Sequence, residues 1–233
     1  EANAPFDYQL GGGYTPAAGV EIVTRDRQDS PAPGLYNICY VNGFQTQPQD
    51  NDRWLADNAD LVLHDASGAP VIDEDWGEYL LDTSSVAKRS QLTQIVGGWI
   101  AQCAADGFDA VEIDNLDSYS RSAGLLVEDD NVSFMASLSA VAHAHGLAIG
   151  QKNSAELVPR AGELGTDFAV AEECNRYDEC DAYTAHYGAH VLSIEYRKQD
   201  FDKGCQAFPD LSIVLRDLEL TTPLSSQYVY DGC

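Results

Sequence analysis

The sequence predicts a (β/α)8 barrel of the TIM type, built as a single domain over residues 1–233, and three observations carry that reading. Short apolar runs alternate with amphipathic segments along the chain, the connections between them are short, and nearly every run ends in a polar or acidic residue. Parallel βα units produce this alternation, because a helix must cover the sheet before the next strand can pair in the same direction. A doubly wound open sheet is the second choice.

Nine runs read as strands: residues 8–10, 20–25, 35–42, 79–82, 110–115, 147–153, 168–172, 191–196 and 211–217. One exceeds the eight of a barrel, and the surplus is assigned to 8–10 as an extra N-terminal strand or cover. Residues 43–75 are polar and rich in turn pairs such as Asn51-Asp52 and Ser67-Gly68, so they read as a βα insertion over one mouth. The clearest helix follows Ser84 and Ser85, either of which can cap it. It places Leu92, Ile95, Val96, Trp99, Ile100 and Cys103 on one face and stops at Gly107. A second helix runs from Asn131 to Gly146, and a third from Ser154 to Gly165.

A net charge of −25, from 38 acidic against 13 basic residues, excludes a binder of phosphate backbones and argues against an anionic membrane surface. At 44% apolar the chain can bury a core, and it holds no apolar run long enough to span a bilayer. Starting at Glu1 without Met or a basic leader, it reads as a mature or trimmed soluble domain. Six cysteines in no metal-knuckle spacing point to disulfides: Cys174 with Cys180 around a short loop and Cys205 with the terminal Cys233, while Cys39 and Cys103 are left over, either as a third pair or as free thiols in an apolar strand and on a buried helix face. Disulfides imply an oxidising compartment, hence secretion. Asn131-Val132-Ser133 is a glycosylation sequon.

In a barrel the chemistry lies at the C-terminal ends of the strands. The candidates there are Asp26, Asn42, Asp82, Glu112, Asp114, Asn115, Asp117, Lys152, Asn153, Glu172, Glu195, Tyr196, Arg216 and Asp217. Within Val111-Glu112-Ile113-Asp114 the period of two sends both acids to one side; if the apolar pair meets the helices, the acids enter the barrel. Asp114 would then reach the mouth, while Glu112, one layer down, would need a buried partner such as Lys152 or Arg216. If Glu172 faces the same mouth, two carboxylates stand across a concave site, which is the minimum for glycoside cleavage. Tyr40, Trp76, Tyr119, Tyr177 and Tyr196 lie near the same ends and offer flat faces for sugars. Phosphate-loop, dinucleotide and serine-elbow motifs are missing, and His64-Asp65 is a poor ligand pair, so no cofactor and no metal are expected.

Residues 111–119, then Gly150-Gln151-Lys152-Asn153, Glu172-Glu173-Cys174 with Tyr177-Asp178-Glu179-Cys180, Glu195-Tyr196 and Arg216-Asp217, together resemble glycoside hydrolase family 114, the endo-α-1,4-polygalactosaminidases. The resemblance covers nearly the whole chain. It implies a secreted barrel enzyme that cleaves internal bonds in galactosamine-rich polysaccharide, with Asp114 and Glu172 as the catalytic pair. By analogy with related barrel α-glycosidases, Asp114 would be the nucleophile and Glu172 the acid/base of a retaining mechanism. Glu173, Tyr8 and Gln151 depart from the family's usual Gln, aromatic (often Trp) and Leu.

De-N-acetylated galactosamine carries ammonium groups, so an acidic cleft would attract it, and Glu112, Asp117, Glu195 and Asp217 are the candidates for reading those amines. The expected partner is thus a cationic amino-sugar polymer, not nucleic acid or membrane, met by a monomer. A non-catalytic barrel that binds such polymers, and a metal-dependent hydrolase using the carboxylate ring, are the alternatives from other classes.

Overall fold

The computed structural model describes residues 2–233, which run in order through β1 (Phe6–Gln9), β2 (Ile22–Asp26), β3 (Tyr36–Asn42), α1 (Asn51–Asp57), β4 (Ile72–Asp73), β5 (Glu78–Tyr79), α2 (Val86–Asp106), β6 (Ala110–Asp114) and α3 (Glu128–Ala144). Then follow β7 (Ala148–Lys152), α4 (Ala161–Leu164), β8 (Phe168–Glu172), α5 (Cys180–Tyr187), β9 (Val191–Glu195), α6 (Lys198–Ala207), β10 (Ser212–Arg216) and β11 (Tyr230–Gly232). The main sheet is ordered β1-β2-β3-β6-β7-β8-β9-β10-β11, with every pair parallel except β10-β11. It curls into a nearly closed, TIM-like barrel, as the alternation predicted.

The surplus run is not the one expected. Residues 8–10 begin inside β1, a true barrel strand that pairs with β2 in parallel, whereas 79–82 belongs to the insertion, where β5 pairs only with β4. The first two βα connections, between β1 and β3, contain no helix. The third predicted helix is a 3-10 stretch over Ala155–Arg160 followed by the short α4, because Pro159 cannot continue an α ladder.

Local chemistry explains the elements that position the site. Ser85 Oγ accepts a hydrogen bond from Lys88 N at 3.3 Å and so caps α2, which ends at Gly107 in the left-handed conformation. Leu92, Val96, Ile100 and Cys103 of α2 pack with Leu138 of α3 onto Val111 and Ile113 of β6. With those two facing the helices, the alternate residues of β6 face the lumen. The lumen is filled by Phe6, Tyr8, Ile38, Ala110, Val170, Ile194 and Val214. Gly150 on β7 makes room there, since a Cβ would stand 2.5 Å from the Phe168 ring.

The two expected disulfides form, as Cys174–Cys180 closes a short loop and Cys205–Cys233 ties α6 to the chain end, and the two cysteines left open pair as well, Cys39–Cys103 tying β3 to α2. The sequon reading fails, because Asn131 is fully buried and donates to Leu116 O at 2.8 Å and Ser118 Oγ at 2.9 Å.

The seam between β1 and β10 lacks a strand ladder and is bridged by Arg216. Its fully buried guanidinium pairs with Asp7 at 3.1 Å and donates to the carbonyls of Tyr8, Thr221 (2.8 Å) and Val229 (3.0 Å). Asp7 also accepts from Gln9 Nε2 at 2.8 Å and Tyr14 Oη at 3.0 Å. Removing the cation would leave a carboxylate buried without countercharge, so Arg216→Met should lose about 3–5 kcal/mol in urea unfolding.

Candidate active site

Strand order builds the site. β7 lies between β6 and β8, so Lys152 at the end of β7 projects into the lumen with Asp114 on one side and Glu172 on the other. Lys152 Nζ is 3.5 Å from Asp114 Oδ2, 3.1 Å from Glu172 Oε2 and 3.4 Å from Glu112 Oε1 one layer down. It also lies 3.1 Å from Tyr8 Oη, which donates to Glu112 at 2.5 Å. Burial works against the charge on Lys152, but Asp114, Glu172 and Glu112 outweigh it and hold the ammonium well above the ordinary lysine range. A cation attracted to these carboxylates would find their meeting point occupied by that ammonium.

Each acid at the mouth has its own tyrosine. Tyr40 Oη donates to Asp114 Oδ2 at 2.7 Å, and Tyr196 Oη donates to Glu172 Oε1. Asp114 Oδ1 accepts from Asn115 N at 2.8 Å. Asn153 grips Glu172 twice, donating from Nδ2 to Oε2 at 3.2 Å and accepting from the Glu172 backbone at 2.8 Å. Asn115 and Asn153 both take positive φ, 66° and 49°, a conformation asparagine tolerates better than most residues.

Glu112 is sealed from solvent. Desolvation pushes its carboxyl up to about 7, aided by Asp114 and Glu172 and opposed by Lys152 and the Tyr8 hydroxyl. Its second oxygen has no hydrogen-bond partner among the described residues, which favours the neutral form. Glu112 therefore lies sealed beneath the site, 3.4 Å from Lys152 Nζ and out of reach of ligand amines.

Other expected site residues lie elsewhere or are already engaged. Glu195 shares the outward parity of Val191 and is fully buried, where it accepts from Asn175 N and Nδ2, both at 2.9 Å, and pins the loop after β8. Arg216 is consumed by the seam, and Asp217 accepts from Thr221 N at 2.9 Å and Val229 N at 3.3 Å to brace the last loop. Asp82 holds the entry to α2 through Ser84 N at 3.0 Å and Lys88. Asp117 pairs with Arg121 at 2.8 Å, and Tyr119 Oη donates to Glu156 at 3.0 Å. Asp26 accepts from Gln28 N at 2.9 Å and Gln47 Nε2 at 3.2 Å at the end of β2. Tyr177 and Trp76 expose 57% and 68% of their surface, enough for a sugar face to reach either ring. His64 Nδ1 lies 2.7 Å from the Val62 carbonyl, while Asp65 accepts from Ser67 N at 2.8 Å, Ser67 Oγ at 2.6 Å and Ala69 N at 3.0 Å.

One residue was missed. Glu78, in the insertion, accepts from Gln45 Nε2 at 2.8 Å and Asn42 Nδ2 at 3.0 Å, with Asn115 Nδ2 at 3.4 Å. Its sequence context, Trp76-Gly77-Glu78-Tyr79, carries no motif.

A TIM-like barrel with paired carboxylates at the C-terminal mouth is the framework of a barrel glycoside hydrolase. The profile of glycoside-hydrolase family GH114 matches residues 1–233, and the chain belongs to that family. In structure it is similar to Aspergillus fumigatus Ega3, solved in complex with galactosamine, with a TM-score of 0.77 at 24% identity over 100% of this chain and 96% of that one. The glycoside hydrolase domain of PelA from Pseudomonas aeruginosa matches at TM-score 0.64 and 14% identity, covering 97% and 98% of the two chains. An α-amylase from Lactobacillus plantarum shares the barrel at TM-score 0.53 and 10% identity over 84% of this chain and 63% of that one. No curated protein sequence is detectably similar to this chain.

The proton on Glu112 sets a pH dependence. The native state holds it up to about pH 7, whereas an unfolded glutamate releases it near 4.5, so the native chain loses stability as pH rises through that window. Glu112→Gln cannot ionise. Between pH 5 and pH 8 the variant should gain on the parent by up to roughly 3 kcal/mol in denaturant unfolding.

Proposed function

We propose that the protein is an endo-acting glycosidase that cleaves α-1,4-linked, galactosamine-containing polysaccharide, with Asp114 as nucleophile and Glu172 as acid/base. The observation that carries this reading is the placement of two mouth carboxylates on opposite sides of one buried ammonium. Oxygens that share Lys152 at 3.5 and 3.1 Å hold the two carboxyls near each other, and the ~5–5.5 Å of a retaining pair is within their reach. The proposal of retention rests on that closeness.

In this mechanism Tyr40 and the Asn115 amide hold Asp114, beside Lys152, aimed at the anomeric carbon. Glu172, oriented by Tyr196 and Asn153, gives its proton to the departing glycosidic oxygen and then takes one from the water that opens the glycosyl ester.

The substrate class rests on family membership and on charge. A chain of net charge −25 attracts a polymer bearing ammonium groups, and the similar fungal enzyme was solved with galactosamine. The three disulfides suit an oxidising environment, so the enzyme acts outside the cell.

Mass spectrometry of partially deacetylated α-1,4-galactosamine oligomers should show shorter products with the parent, and a loss of about 10³-fold or more in Asp114→Asn and Glu172→Gln. Intact oligomers with the parent would overturn the reading. Proton NMR of the first products should show the α-anomer; the β-anomer would replace retention by inversion.

A further inference from the structure

Glu78 lies in the insertion hairpin, outside the barrel sheet, yet its carboxylate is held against the barrel's catalytic end. Asn42, which donates to it at 3.0 Å, is the register partner of Asp114 across β3 and β6, and Asn115, 3.4 Å away, directly follows Asp114. All three donors are neutral amides, and no cation pairs with Glu78 among the described residues.

The nearest cation is spent on aligning those amides. Arg121 donates to Gln45 Oε1 at 3.2 and 3.1 Å and to Asn115 Oδ1 at 3.1 Å, which turns both amide NH2 groups toward Glu78. Its remaining charge is taken by Asp73 at 3.0 Å and Asp117 at 2.8 Å. The amides converge on Glu78 Oε2 and leave Oε1 free of protein partners. Partial burial raises the carboxyl above its usual range, eased by Gln45 and Asn42 and reinforced by Asp114. A cation beside it would reverse that penalty.

The hairpin also carries the exposed indole of Trp76, two residues away. An uncountered carboxylate and an open aromatic face on one short element are what an amino sugar needs: charge for its ammonium and a flat surface for its ring. Of the amine readers expected from sequence, Glu112 and Glu195 are fully buried, Asp117 already pairs with Arg121, and Asp217 accepts from two backbone amides.

We infer that Glu78 is a specificity-determining residue, which binds the C2 ammonium of a de-N-acetylated galactosaminyl unit next to the bond being cleaved. The inference rests on the function proposed above and deepens it. An N-acetyl group is neutral and bulkier, so it forfeits the ion pair and crowds the amides around the carboxylate. The insertion would then set the acetylation pattern the enzyme accepts, while the barrel supplies the chemistry.

The test compares parent, Glu78→Gln and Glu78→Asp on fully deacetylated oligomers and on oligomers of defined partial acetylation, with products sequenced by mass spectrometry. Gln keeps an oxygen for the amide donors, so the fold should persist. The parent should favour cuts beside free amines. Glu78→Gln should lose at least about tenfold in kcat/KM on deacetylated oligomers, chiefly through KM, and accept acetylated units at the contacted position. Glu78→Asp should keep part of the preference, because it keeps the charge. A parent that cleaves while Glu78→Gln keeps the same cut pattern would overturn this inference alone, as would loss of the preference in Asp26→Asn but not in Glu78→Gln. A parent that cleaves neither substrate would overturn the function itself.

Discussion

A lysine ammonium placed inside a barrel is tolerable only if carboxylates surround it, and Lys152 is the constraint to which the rest of this site answers. Three acids must reach it, and β6 and β8 can deliver them because they flank β7. The period of two on β6 supplies two of the three, one at the mouth and one beneath. Gly150 yields the space below, and Tyr8, Tyr40 and Tyr196 supply hydroxyls to the carboxylates. The cluster couples fold to the proposed function, since the contacts that neutralise a buried charge also fix the two oxygens proposed to act on the substrate.

Much of this was legible in the chain, and for a definite reason. On β6 apolar and acidic residues alternate, so the faces sort themselves and Asp114 can be assigned to the lumen from sequence. β9 offers no such clue. Its run Val191-Leu192-Ser193-Ile194 is buried on both faces, so the parity of Glu195 is open in the sequence and the structure resolves it outward. Arg216 and Asp217 end a strand just as the site residues do, but the seam takes the first and the last loop takes the second. Glu78 was invisible because its role comes from three amides 36, 33 and 37 residues away in the chain.

The fold was read with similar success and a similar limit. Strands and major helices follow from periodicity and caps, and two of the disulfides from position, while Cys39 and Cys103 pair only because the fold brings β3 against α2. Which run was surplus could not follow from periodicity, since 8–10 and 79–82 are equally short and apolar and only pairing separates them. The antiparallel β11 ends one residue before the disulfide-bonded Cys233. It covers the free edge of β10, which Arg216 alone would leave open.

The three-way sharing of Lys152 means that none of its acids can be removed in isolation. With one gone, the ammonium leans toward the other two and shifts the oxygens left at the mouth. Losses measured for variants of Asp114 and Glu172 would therefore overlap, and adding them as separate contributions would misname a collective property.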